Sequence, residues 1–128
     1  MNNRKIWIAT AGLIGFSGVA LGAFGSHRLG DQLSADMMNV YKTGVLYHLI
    51  HSVAILAIAL YGHKKFYKSA LMFVIGILLF SCSLYIYTQS GNTAFAMITP
   101  VGGVFLLLGW SLIIIEGLKM KGESNVDL

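Results

Sequence analysis

The chain has 128 residues, 56% of them hydrophobic and 11% charged, where a soluble globular domain carries roughly a quarter charged residues. Water is therefore excluded as its main solvent. The formal net charge of +4 does not point to nucleic acid, because the basic residues gather at the ends of apolar runs instead of forming a stripe along one face.

Four stretches are long and apolar enough to cross a bilayer, which takes about 20 predominantly apolar residues: 6–24, 41–61, 69–87 and 100–118. They predict an all-α fold, an integral membrane four-helix bundle forming a single transmembrane domain over 1–128, with the lipid bilayer as its surroundings. Arg4 and Lys5 ahead of the first run resemble the charged start of a signal peptide. The run is longer than a signal core and dense in glycine, so a retained first helix is expected. Within it Ala11, Gly15, Gly18, Gly22 and Gly25 recur at intervals of four, three, four and three. Such a seam of small residues lets another backbone approach closely, a main source of helix association in lipid. Its partner is either a neighbouring helix of the same chain or a second copy in a homo-oligomer.

The first connection contains His27, Arg28, Asp31 and Asp36, with a Gly30-Asp31 turn signal. Ser34 is placed to cap a helix that begins at Ala35. Run unbroken to Tyr61, that helix measures about 40 Å at about 1.5 Å per residue, against a hydrocarbon core of about 30 Å. It must tilt or protrude, leaving Met37, Met38, Val40 and Tyr41 at the outer interface. The third run holds the single cysteine, Cys82, read as a small packed residue. After it, the connection 88–99 carries no charge. Pro100 suits the first turn of the fourth helix and Thr99 its cap, so 94–98 is expected as a short interfacial segment or a partly buried loop. Glu116 and Lys119 are expected as a surface ion pair of little energetic weight.

Seven of the nine Lys and Arg residues fall on one side of this topology: Arg4, Lys5, Lys64, Lys65, Lys68, Lys119 and Lys121. Only Arg28 and Lys42 fall on the other. Short basic loops stay cytoplasmic, so both the N and C termini are expected inside.

Counting at about 1.5 Å per residue converts position into depth. His48, Ser81, Tyr85, Thr99 and the pair Gly102-Gly103 then share an outer-half layer, while His51, Ser17 and Trp110 share the middle. His27 stands above as a candidate cover. An ionisable group inside a membrane is costly and generally faces protein or water, which marks it as a candidate site. The competing reading is that the imidazoles are polar glue between helices. Three histidines are enough to ligate zinc or copper and two to hold haem iron, but no intramembrane carboxylate accompanies them, and little is present to hold haem propionates. No metal or other cofactor is assigned. Nucleophilic catalysis lacks a glycine elbow around Ser81 or Ser83, and no catalytic residue is assigned.

The stretches "GAFGSHRL" (22–29), "YHLIH" (47–51), "LLFSCSLY" (78–85) and "ITPVGGVFLLLGW" (98–110), in that order, resemble the small membrane proteins of the domain of unknown function 423 family. The resemblance covers nearly the whole chain and implies a four-helix protein of the bacterial cell membrane. It places the family's recurring positions on Gly22, Phe24, Gly25, His27, Tyr47, His51, Phe80, Ser81, Leu84, Tyr85, Thr99, Pro100, Gly102, Gly103, Gly109 and Trp110. This chain departs from the pattern at Ser26, where alanine is common, and at Arg28, where glycine is common. His48 falls on a variable position, so the resemblance singles out His27 with His51. It implies no activity.

The expected function is accordingly non-enzymatic: a multi-pass protein of membrane maintenance, or a small assembly or interaction protein. The first alternative is a small transporter or channel with a polar outer-half site around His27 and His51. The second is a haem- or metal-binding redox protein.

Overall fold

A computed structural model of the chain describes residues 3–122. Four helices account for most of them: α1 (Asn3–Arg28), α2 (Ala35–Tyr61), α3 (Tyr67–Ser90) and α4 (Thr93–Lys119), with a single 3₁₀ turn, Lys64–Phe66, between α2 and α3. All four are long and apolar enough to span a membrane. Each helix extends beyond its apolar run. A backbone leaving a bilayer keeps its internal hydrogen bonds until water or a cap can replace them, so the polar flanks are helical too.

The caps explain where the helices stop. Ser34 has extended backbone angles and its hydroxyl accepts from the Met37 N–H at 3.2 Å, starting α2 at Ala35 as expected. Gly62 and Gly91 hold positive φ angles of 76° and 68°, the left-handed geometry that favours glycine. Their N–H groups donate to Ile58 and Tyr87 at 3.0 and 2.8 Å, closing α2 and α3.

The third connection differs from expectation. Asn92 is the cap of α4, its side chain accepting from the Ala94 N–H at 3.0 Å, so Gly91 and Asn92 alone make the turn. Residues 94–98 are helical, and Pro100 lies inside α4 instead of opening it. Proline is tolerated inside membrane helices where neighbouring helices and Ser or Thr side chains compensate the lost bond. The carbonyl freed by Pro100 is that of Ala96; beside it the Thr99 hydroxyl reaches the Phe95 carbonyl at 3.4 Å and meets Ser83 of α3 at 2.7 Å. Thr99 is thus an interhelical tie and not a cap.

Consecutive helices pack on one another, with α2 and α3 in the middle. The small-residue seam of α1 faces α2. A Cβ on Gly18 would stand 2.7 Å from Leu49 and 3.0 Å from His48, one on Gly22 3.2 Å from Val45, and one on Gly25 inside the Tyr41 ring. Gly15 lies more loosely over Ser52, at 3.5 Å. On α4, Gly102 lies against the backbone of Phe80 and Gly109 against the Phe73 ring, whereas Gly103 has only Phe80 Cδ2 at 3.8 Å. The main core lies toward the basic end, around Ile55, Phe73, Ile77 and Leu106. A second cluster of Leu29, Tyr41 and Tyr85 lies at the opposite end. Tyr41, expected at the interface, is 1% exposed because the missing side chain of Gly25 opens room for its ring.

Candidate functional site

The intramembrane histidines both face protein, but they face different neighbours. A spacing of three residues turns a helix about 60° short of a full circle, enough to aim His48 at α1 and α3, and His51 at α3 and α4. Both are buried.

His51 Nδ1 lies 2.7 Å from the Tyr47 carbonyl of its own helix. Its Nε2 lies 3.1 Å from Nε1 of Trp110 on α4. A carbonyl only accepts and an indole N–H only donates. The ring is therefore the neutral Nδ1–H tautomer, donating to Tyr47 and accepting from Trp110. Phe73 and Trp110 meet it edge-on at centroid distances of 5.1 and 5.9 Å, and Tyr47 stacks at 5.9 Å.

His48 is the opposite tautomer. Its Nε2 lies 2.9 Å from the Ile14 carbonyl of α1 and must donate, with the Ser17 hydroxyl sharing that proton at 3.2 Å. Ser17 in turn donates to the same carbonyl at 2.9 Å. Nδ1 then accepts from the Tyr85 hydroxyl of α3 at 3.0 Å. Gly18 admits this contact, since a Cβ there would stand 3.0 Å from the imidazole. Ser17 was expected level with His51; the structure places it with His48 because α1 starts at Asn3, earlier than its apolar run.

Other polar side chains also tie helices together. Ser81 donates to the Gly44 carbonyl at 2.7 Å, Tyr41 to the Leu21 carbonyl at 2.5 Å, and Arg4 to the Leu60 carbonyl at 2.9 Å. Tyr41 was expected at the outer interface and Ser83 was weighed only as a nucleophile; neither was expected as a tie. The signal for the first was a tyrosine paired with a glycine on the facing seam, and for the second its place two residues from Ser81, about 200° round the helix, which turns it from α2 toward Thr99 of α4. Ser69, fully buried in the first turn of α3, has a hydroxyl without a hydrogen-bond partner.

His27 does not join this group. It is exposed at the end of α1, and since Gly25 lies against Tyr41, it stands roughly 18 Å above His51 at about 1.5 Å per residue of α2. The expected cover of His51 by His27 is not formed, because that axial distance separates them. Among the described residues, no three His, Cys, Asp or Glu side chains converge as metal ligands would. The polar layer is a set of separate bonds joining α2 to α1, α3 and α4, and α3 to α4.

Comparison with known proteins places these residues in a wider group. The family model described as protein of unknown function (DUF423) matches residues 21–103, a span that includes His27, both intramembrane histidines, Ser81, Tyr85, Thr99 and Gly102-Gly103, but ends before Trp110. The chain is 39% identical over 124 residues to the UPF0382 inner membrane protein YgdD of Escherichia coli strain K12, covering 94% of this chain and 95% of that protein. It is 37% identical over 124 residues to a UPF0382 membrane protein of Haemophilus influenzae, covering 94% and 98%. With the UPF0382 membrane protein YwdK of Bacillus subtilis strain 168 it shares 34% over 120 residues, covering 90% and 98%. No solved structure matches the chain.

Proposed function

Because the chain belongs to the DUF423 family and is a multi-pass membrane protein like its bacterial relatives, we propose that it is a non-enzymatic interaction protein of the cell membrane, working through its lateral surface. The observation that supports this reading is that both ring nitrogens of His48 and of His51 are occupied by helix partners. The groups best suited to bind a solute or pass a proton are used to hold the helices together. Meanwhile α1 and α4 turn long apolar side chains outward, among them Phe16, Leu13, Met97 and Leu107. Such faces are available to lipid and to other membrane helices.

The transport alternative rests on the same histidines, so one experiment separates the two. Purified protein reconstituted into vesicles is expected to give solute and proton flux equal to that of protein-free vesicles. A pH-dependent flux that disappears in His51→Ala would replace the interaction reading with transport. An absorption spectrum and metal analysis of the same sample address the redox alternative, which requires a haem band or bound metal.

A further inference from the structure

The basic end of the molecule carries a pocket that none of the interhelical ties uses. It measures about 440 Å³ and is lined by His63, Lys65, Phe66, Lys119, Met120 and Lys121, so that the 3₁₀ turn and the end of α4 face each other across it. Three lysines therefore line one concavity. Among the described residues the carboxylate beside this pocket is Glu116, 3.8 Å from Lys119, a distance that leaves the lysine's other protons available. His63 adds a donor. Its Nδ1 accepts from the Lys65 N–H at 3.4 Å, which puts the ring proton of the neutral form on Nε2.

Directly above this pocket, and sharing Phe66 with it, a trough runs between α2 and α4. It measures about 290 Å³ and is lined by Ala54, Ala57, Ile58, Tyr61, Trp110 and Ile113, none of which carries a charge. Small residues on α2 form its floor. A second recess of about 380 Å³, lined by Tyr47, His51 and Pro100, meets the trough only at Trp110, whose bond to His51 crosses from α4 to α2 between them. Tyr61, His63 and Phe66 form an aromatic cluster at the junction, with centroids 5.7 to 6.0 Å apart. Aromatic side chains favour that depth, where the acyl region gives way to headgroups.

Length and charge together identify the occupant. From Tyr61 to Ala54 the trough rises about 10 Å at about 1.5 Å per residue, about two-thirds of one leaflet of a hydrocarbon core of about 30 Å. A basic pocket at the headgroup level joined to an uncharged trough that covers most of one leaflet complements a molecule with an anionic head and an acyl chain. Basic pockets between helices on the cytoplasmic side are known to take such heads. We propose that the groove between α2 and α4 is a binding site for an anionic phospholipid of the inner leaflet. Its phosphate sits among Lys65, Lys119, Lys121 and His63, and one acyl chain lies in the trough over Ala54 and Ala57. This goes beyond the interaction reading and stands independently of it.

Native mass spectrometry of the full chain, released from micelles containing equal phosphatidylglycerol and phosphatidylcholine, tests the site. The wild-type protein is expected to retain phosphatidylglycerol preferentially. Neutralising Lys65, Lys119 and Lys121 to Gln is expected to lower that retention by about fivefold for each lysine, leaving phosphatidylcholine unchanged. Ala57→Trp, which fills the trough without altering charge, is expected to lower it as well, and Ala57→Leu serves if the larger residue prevents folding. Retention that survives the lysine changes overturns the proposal. So does retention that falls with the lysines but is indifferent to both Ala57 variants, because attraction is then to a charged surface and not to a built groove. Displacement of the lipid by inorganic phosphate alone overturns it too, since the trough would contribute nothing.

Discussion

Trp110 on α4 donates its indole N–H to Nε2 of His51 on α2 at 3.1 Å, and this contact joins two helices that are otherwise held mainly through α3. Trp110→Phe keeps an aromatic ring against Phe73 but leaves Nε2 without its donor. Interhelical hydrogen bonds in membranes are modest, so a loss of about 0.5–1.5 kcal/mol is expected, read as an earlier midpoint of unfolding in mixed micelles. Loss beyond that range would mean that the ring contact outweighs the hydrogen bond.

The opposite tautomers of the two histidines are directly observable. With ring nitrogens labelled with ¹⁵N, His51 is expected to show a protonated Nδ1 and a bare Nε2, because Tyr47 offers a carbonyl and Trp110 an N–H. His48 is expected to show the reverse. Tyr85→Phe removes the donor to Nδ1 of His48 and should shift that nitrogen while leaving both His51 signals in place. Two histidines sharing one tautomer would contradict the partner assignment.

How much of this was legible in the sequence depends on direction. Hydropathy located all four spans, and the spacing of Ala11, Gly15, Gly18, Gly22 and Gly25 located a close helix contact, because both signals are periodic along one chain. Depth counting set Trp110 at the level of His51 and Tyr85 near that of His48, since rise per residue is nearly constant. Which neighbour each face meets was not legible. That depends on which helix lies on which side, and only the fold shows that α1 approaches His48 while α4 approaches His51. The start of α4 was misplaced for a different reason. Pro100 is a boundary signal in water, but membrane helices tolerate an internal proline, and the Asn92 cap starts α4 two turns earlier.

The glycines of α4 differ sharply although they are adjacent. A Cβ on Gly102 would lie 2.6 Å from the Leu79 carbonyl carbon and 2.7 Å from Phe80 Cα, both backbone atoms that cannot rotate away. Gly102→Ala is therefore expected to separate α3 from α4 at a cost of about 1–3 kcal/mol, the range for overpacking. Gly103→Ala meets only Phe80 Cδ2, at 3.8 Å, and is expected to stay within about 0.5 kcal/mol of wild type. Thermal denaturation of the two variants in the same detergent gives the comparison, and equal effects would refute the asymmetric packing of this helix.

The orientation in the membrane follows from charge and is open to labelling. Arg4, Lys5, Lys64, Lys65, Lys68, Lys119 and Lys121 share one end of the bundle, and only Arg28 and Lys42 serve the other. Basic residues in short loops resist translocation, so the end with the 3₁₀ turn belongs in the cytoplasm. With Cys82 replaced by serine, single cysteines at the exposed positions Gln32→Cys and Thr93→Cys mark the turns between α1 and α2 and between α3 and α4. Both are expected to react with an impermeant maleimide on intact cells. Lys64→Cys, on the 3₁₀ turn, is expected to react only after the membrane is opened. The reverse pattern would place the seven basic residues outside and would move the proposed phospholipid site to the other leaflet.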